Sequence, residues 1–88
     1  YPYNVSVGDR YVYVDTDGGA RTINMPSLAS VENGFRVMII DDDINAATNN
    51  ITIEGDGTET INESQTKVIN TNGGAVSLQK RSEGWHIF

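Results

Sequence analysis

The 88-residue chain has no cysteine, two prolines, one tryptophan and one histidine, and it carries six basic residues against twelve acidic ones. Without cysteine, neither a disulfide nor a thiolate zinc site staples the fold, and the redox compartment leaves no mark on the sequence. A net charge of −6 lacks the basic footprint with which proteins hold nucleic acid or anionic membrane. No run approaches the roughly 20 apolar residues of a membrane-spanning helix, and no basic-then-apolar leader is present. Glycine-rich phosphate loops of the Walker or dinucleotide type are missing too, which removes the nucleotide-binding enzymes. The chain opens on Tyr1-Pro2-Tyr3 rather than Met, as expected of a processed piece of a longer protein. Its length suits one domain, residues 1–88, with little more than about 60% of its unfolded surface buried.

What is abundant is turn and strand chemistry. Asn (9), Thr (8), Gly (9) and Asp (7) together make up over a third of the chain, and they are turn formers plus a β-branched strand former. Only Ser27 to Glu32 has helical permission, for a turn or two before Asn33-Gly34. Short apolar-rich runs at Tyr11–Thr16, Arg21–Met25, Phe35–Ile40, Ile51–Glu54, Thr60–Asn62, Lys67–Thr71, Ala75–Lys80 and Trp85–Phe88 read as strands. Asp17-Gly18-Gly19, Gly55-Asp56-Gly57, Asn72-Gly73-Gly74 and Ser82-Glu83-Gly84 punctuate them, the third reading as a hairpin turn. About eight short strands at this spacing predict an all-β fold, a small antiparallel β-sandwich or jelly-roll-like domain.

Ile39, in the most apolar run, and Trp85 with Ile87, alternating in the last, are the expected core anchors; His86 then faces out. Tyr11 to Val14 and Phe35 to Ile40 are apolar on both faces, whereas a small sandwich buries one. Two explanations stand: the second face lies under a loop or half-exposed, or it meets another subunit. On the second, Tyr11, Val12, Tyr13 and Val14 are the candidate oligomer interface.

No chemical constellation emerges. A calcium loop opening at Asp15-Thr16-Asp17 needs a bidentate Glu where Pro26 stands, so it reads as an Asp-rich turn. In Asp41-Asp42-Asp43, alternation lets at most Asp41 and Asp43 converge on a weak surface cation, and a solvated strand end is the plainer reading. His86 has no partners for a metal site or a triad, so neither catalytic residues nor a cofactor is expected. Trp85 with Tyr1, Tyr3, Tyr11 and Tyr13 offers aromatic surface for stacking sugars, although Trp85 fits the core better.

From Thr22 onward, several segments occur in a familiar order: Thr22-Ile23-Asn24-Met25-Pro26, Gly34 through Asp42, Asn49-Asn50-Ile51-Thr52-Ile53, and Gly57 through Asn62. The ending adds Gly74 through Leu78 and Gly84-Trp85-His86-Ile87. In that order and spacing the chain resembles a β-structured module of tailed-phage virion proteins, of the tail-fibre, tailspike, head-fibre and capsid-decoration kind. Met25-Pro26 stands where that family usually has Leu-Pro. The resemblance implies a non-enzymatic structural module on the virion surface, a homotrimer in contact with other capsid or tail proteins. An alternative is a carbohydrate-binding or host-adhesion module that takes a host surface glycan.

Overall fold

Alternating β-branched residues set the strands, and in the computed structural model, which describes residues 2–88, there are eight. They are β1 (Tyr3–Asn4), β2 (Tyr11–Val14), β3 (Arg21–Asn24), β4 (Arg36–Asp41), β5 (Ile51–Glu54), β6 (Thr66–Ile69), β7 (Ala75–Arg81) and β8 (Gly84–Ile87). The helical permission at Ser27–Glu32 yields only a 3-10 turn, Leu28–Ser30. Lys80 holds that turn in place, its Nζ donating to the Leu28 carbonyl and, at 2.5 Å, to the Val31 carbonyl.

The strands form two four-stranded sheets, ordered β1-β3-β5-β6 and β2-β4-β7-β8. The all-β expectation holds, but the antiparallel one needs correction. β1 with β3, β2 with β4, and β3 with β5 pair in parallel, while β4 with β7, β5 with β6, and β7 with β8 are antiparallel. Parallel neighbours require a long crossover, usually a helix. Here the crossover is a strand of the opposite sheet: the chain changes sheet at every connection from β1 to β5, so each return runs in the same direction as before. Asn72-Gly73-Gly74 therefore makes a turn, with Gly74 N–H donating to the Thr71 carbonyl at 2.9 Å, but not a hairpin, since β6 and β7 lie in different sheets. The tight hairpin is β7–β8, where Arg81 pairs with Gly84.

One expected strand is absent and one unexpected strand is present. Thr60–Asn62 is a reversal, because Asn62 and Glu63 adopt positive φ (48° and 69°) and Ile61 bridges back to Ser64. The loop is drawn onto β8 by hydrogen bonds from Trp85 N–H to the Thr60 carbonyl (2.9 Å) and from Asn62 N–H to the Trp85 carbonyl (2.8 Å). That close approach requires Gly84, whose φ is +154° and where a Cβ would lie 2.9 Å from the Thr60 oxygen. The unexpected strand, Tyr3–Asn4, is too short to carry a sequence pattern and exists only by pairing with β3.

Both sheets supply one hydrophobic cluster: Ile23, Ile51, Ile53 and Ile69 from the first, and Val12, Val14, Val37, Ile39, Val76, Leu78 and Trp85 from the second. Ile39 and Trp85 are fully buried, as expected of anchors. Ile87 is only partly buried and packs against the margin of this cluster. The Trp85 ring meets Phe35 edge-on, centroids 6.0 Å apart, and its indole N–H is buried without an acceptor. The accessible surface, 4965 Å², matches the roughly 5,000 Å² expected of a folded chain of this mass. The core is thus of normal extent, and any apolar surface left outside is additional to it.

Candidate functional site

Alternation along β2 and β4 decides what the second sheet shows to solvent. Val12, Val14, Val37 and Ile39 point inward, so Tyr11, Tyr13, Met38 and Ile40 point outward. Parallel register sets Tyr11 beside Met38 and Tyr13 beside Ile40, and β7 continues those rows with Ser77 and Ala75. Phe88 joins the Tyr11 row through its N–H, which donates to the Ser77 carbonyl at 3.1 Å. Tyr11, Tyr13 and Phe88 are each 61–62% exposed, and the two tyrosine rings lie 6.4 Å apart at 27°. Three aromatic side chains at that exposure present on the order of 400 Å² of contact surface, near the largest patch a monomer ordinarily shows. β2 has a neighbour on one side only, so this face also ends at an open strand edge.

The interface expectation is thereby divided. Tyr11 and Tyr13 stand on the exposed face, but Val12 and Val14 are buried and belong to the chain's own core; period-2 alternation cannot offer both pairs to one partner. The aromatic platform is divided too. Trp85 is fully buried and leaves it, and Tyr3 donates its hydroxyl to Asp9 at 2.6 Å. Tyr1 lies outside the described residues.

Parallel pairing also gathers charge by sign. Arg10 and Arg36 sit at the starting ends of β2 and β4, where both line two open clefts of about 480 and 430 Å³. The Arg36 guanidinium lies 5.0 Å from the Phe88 ring centroid. Asp15, Asp17 and Asp41 to Asp43 crowd the finishing ends, since Val14 pairs with Asp41. Asp43 and Asp15 share a carboxyl–carboxyl hydrogen bond that pushes Asp43 up and holds Asp15 down from the ordinary carboxylate value. Arg21 adds its guanidinium to the Asp15 and Asp17 carbonyls (2.6 and 3.1 Å).

Asp41 behaves differently from its neighbours. It is 2% exposed and accepts from the Thr16 hydroxyl at 2.6 Å, Ala46 N–H at 2.8 Å and Gly73 N–H at 2.9 Å. Burial raises its pKa, but those donors and the Asn45 N–H outweigh it and hold the carboxyl at about 2. It joins the 45–46 loop and the 72–73 turn to the ends of β2 and β4. Asp41 and Asp43 accordingly do not converge on a cation: one is committed inward and the other faces water. Among the described residues no group of three His, Cys, Asp or Glu side chains is arranged to hold a metal. His86 is exposed opposite Gln79.

Sequence reasoning missed the juxtaposition of Arg10 with Arg36 and of Asp15–Asp17 with Asp41–Asp43. Each pair is about 26 residues apart, and only the parallel register brings its members together; no local motif signals it. Among the described residues no helix is long and apolar enough to cross a membrane. Comparison with protein-family models gives no match, and comparison with curated proteins gives none either.

Proposed function

We propose that this chain is a non-enzymatic structural module of a tailed-phage virion, of the fibre or capsid-decoration kind, which assembles on the particle surface with copies of itself and with other virion proteins. The observation that carries the assembly half is the outer face of the β2-β4-β7-β8 sheet, where Tyr11, Tyr13, Met38, Ile40 and Phe88 form one apolar surface beside an open strand edge. The virion half rests on the order of the segments from Thr22 to Ile87. Its acidic, Asn- and Thr-rich surface suits a protein exposed outside a particle. The two sheets over one core read as a small sandwich, although its winding departs from a jelly roll, whose strands run antiparallel.

The size of this face sets what it can contribute to assembly. About 400 Å² at ~25 cal/mol per Å² gives on the order of 10 kcal/mol of gross apolar burial, within the roughly 4–15 kcal/mol that association costs. The face is enough to start an interface and not enough to complete one, so polar contacts around it must contribute. Threefold symmetry comes from the resemblance alone. Light scattering coupled to size exclusion tests it, with about three times 9.6 kDa expected; a dimer would refute the stoichiometry and a monomer the assembly.

A second reading, a host-adhesion module that binds glycan, draws on the near-coplanar pair Tyr11 and Tyr13. Sugar sites set such rings among amide and carboxylate side chains, whereas the neighbours here are Met38 and Ile40. Glycan-array binding lost in Tyr11→Ala without loss of folding would support this reading over assembly.

A further inference from the structure

We propose that Asn33 is a site of spontaneous covalent modification, at which the backbone nitrogen of Gly34 attacks the Asn33 side chain and the amide becomes a carboxylate. The inference is independent of the assembly reading above. Nine asparagines occur in the chain, and two of them, Asn33 and Asn72, precede a glycine. Glycine has no Cβ to shield its backbone nitrogen, and it leaves the main chain free to turn that nitrogen onto the preceding side chain. The step balances with water as the only co-reactant. Gly34 N–H gives its proton to solvent, the nitrogen bonds to Asn33 Cγ, and the Cγ–Nδ2 bond breaks to release ammonia, which takes up a proton. Water then opens the five-membered imide at either carbonyl, leaving aspartate or isoaspartate at position 33.

The fold treats the two Asn-Gly pairs differently. Exposure does not separate them, since Asn33, Gly34, Asn72 and Gly73 are all exposed. Hydrogen bonding does. Gly73 N–H donates at 2.9 Å to Asp41 Oδ2, a carboxylate ionised at neutral pH, and Asn72 Oδ1 accepts from Ala47 N–H at 2.9 Å. A Gly73 nitrogen that gave up its proton would lose a charge-assisted bond and set its own negative charge against the Asp41 carboxylate. Asn33, by contrast, makes no side-chain hydrogen bond among the described residues, so its amide is free to turn. Gly34 N–H donates only to the Lys80 carbonyl, and its 3.2 Å lies at the long end of the usual range. Glu32, Asn33 and Gly34 are exposed in succession, so this turn opens with little buried contact to lose.

The product alters a charged cleft. Asn33 lines the cleft of about 480 Å³ together with Arg10, Glu32 and Arg36. Glu32 sets one negative charge against the two arginines, and a carboxylate at position 33 adds a second. Isoaspartate also lengthens the main chain by one carbon, inside the turn that Phe35 N–H closes onto the Glu32 carbonyl at 3.0 Å.

The unaltered chain, incubated for weeks at body temperature in mildly alkaline buffer, tests the site. Tandem mass spectrometry of its proteolytic peptides measures conversion at each asparagine, in the folded chain and in guanidinium chloride. In the folded chain Asn33 is expected to convert at least about tenfold faster than Asn72, a barrier difference of about 1.4 kcal/mol, and to yield both aspartate and isoaspartate. In guanidinium chloride the two rates are expected to converge, because the Asp41 and Ala47 contacts are gone and both are Asn-Gly pairs. Ion exchange is expected to show more acidic species accumulating in the unaltered chain and far fewer in Asn33→Gln. Equal rates at Asn33 and Asn72 in the folded chain would overturn the proposal, as would conversion at Asn33 no faster than at the asparagines without a following glycine. A rate ratio unchanged by guanidinium would overturn its physical ground, the protection of Gly73 by Asp41.

Discussion

The two sheets share a core but differ on their outer faces. The β1-β3-β5-β6 sheet turns Asn4, Asn24, Glu54 and Thr66 outward in one row and Thr22, Thr52 and Val68 in the next. Apart from Val68 these are polar and suited to water. The β2-β4-β7-β8 sheet, with inner residues of the same kind, turns tyrosines, Met38, Ile40 and Phe88 outward. Inward alternation is dictated by folding alone and looks alike in both sheets. The outward set is free of that demand, so the contrast between the two outer faces is not one that folding requires.

The largest expected effects lie where the sheets are equivalent. Ile39 and Ile53 are both fully buried, one from each sheet, so Ile39→Ala and Ile53→Ala should each cost about 2–5 kcal/mol through cavity formation. Trp85→Ala should cost about 3–5 kcal/mol. Trp85→Phe should cost clearly less, because it removes an indole N–H that has no acceptor. Equilibrium denaturation of the four variants checks this; losses under ~0.5 kcal/mol for both isoleucines would mean the inner and outer faces are reversed.

A somewhat smaller effect separates Asp41 from the carboxylates around it. Its folded pKa, about 2, lies below the ordinary 3.8, so the ionised form is favoured by folding. The stabilisation is present above pH ~4 and disappears as pH falls from about 4 to about 2, an effect of about 2 kcal/mol. Urea denaturation across that window should show this slope in the unaltered chain and a flatter one in Asp41→Asn. Equal slopes would remove Asp41 from the account of acid stability.

Legibility in the sequence followed the same division. Period-2 patterning is local, so Ile39, Trp85 and the outward His86 could be assigned from neighbouring residues. The number of strands came out right through compensating errors: Thr60–Asn62 turned into a reversal without a glycine, and Tyr3–Asn4 was too short to see. Pairing is non-local, and nothing in Asn72-Gly73-Gly74 distinguishes a hairpin from a change of sheet. The face with its two charged ends was half legible. Tyr11 and Tyr13 could be found by residue type, but Val12 and Val14 had to be assigned to one side by the fold. The arginine and aspartate ends depend on parallel register, which the turn signals argued against.

The smallest expected effect concerns metal. With Asp41 committed to Thr16, Ala46 and Gly73, the aspartate end lacks a convergent ligand set. Millimolar calcium should raise the melting temperature by less than about 5 °C, the equivalent of roughly 1 kcal/mol in a domain of this size. A larger rise that chelator reverses would show a site there.

The most direct test of the contrast between outer faces sets one substitution on each and measures mass. Tyr13→Asp places a charge on the aromatic face, and Thr52→Asp places the same charge on the polar one; both sites point away from the core. By light scattering coupled to size exclusion, the unaltered chain and Thr52→Asp should run as the same assembly, about three times 9.6 kDa, while Tyr13→Asp falls towards one. A monomeric unaltered chain at every concentration, or a Tyr13→Asp variant that stays fully assembled, would contradict the assignment of the tyrosine face to assembly.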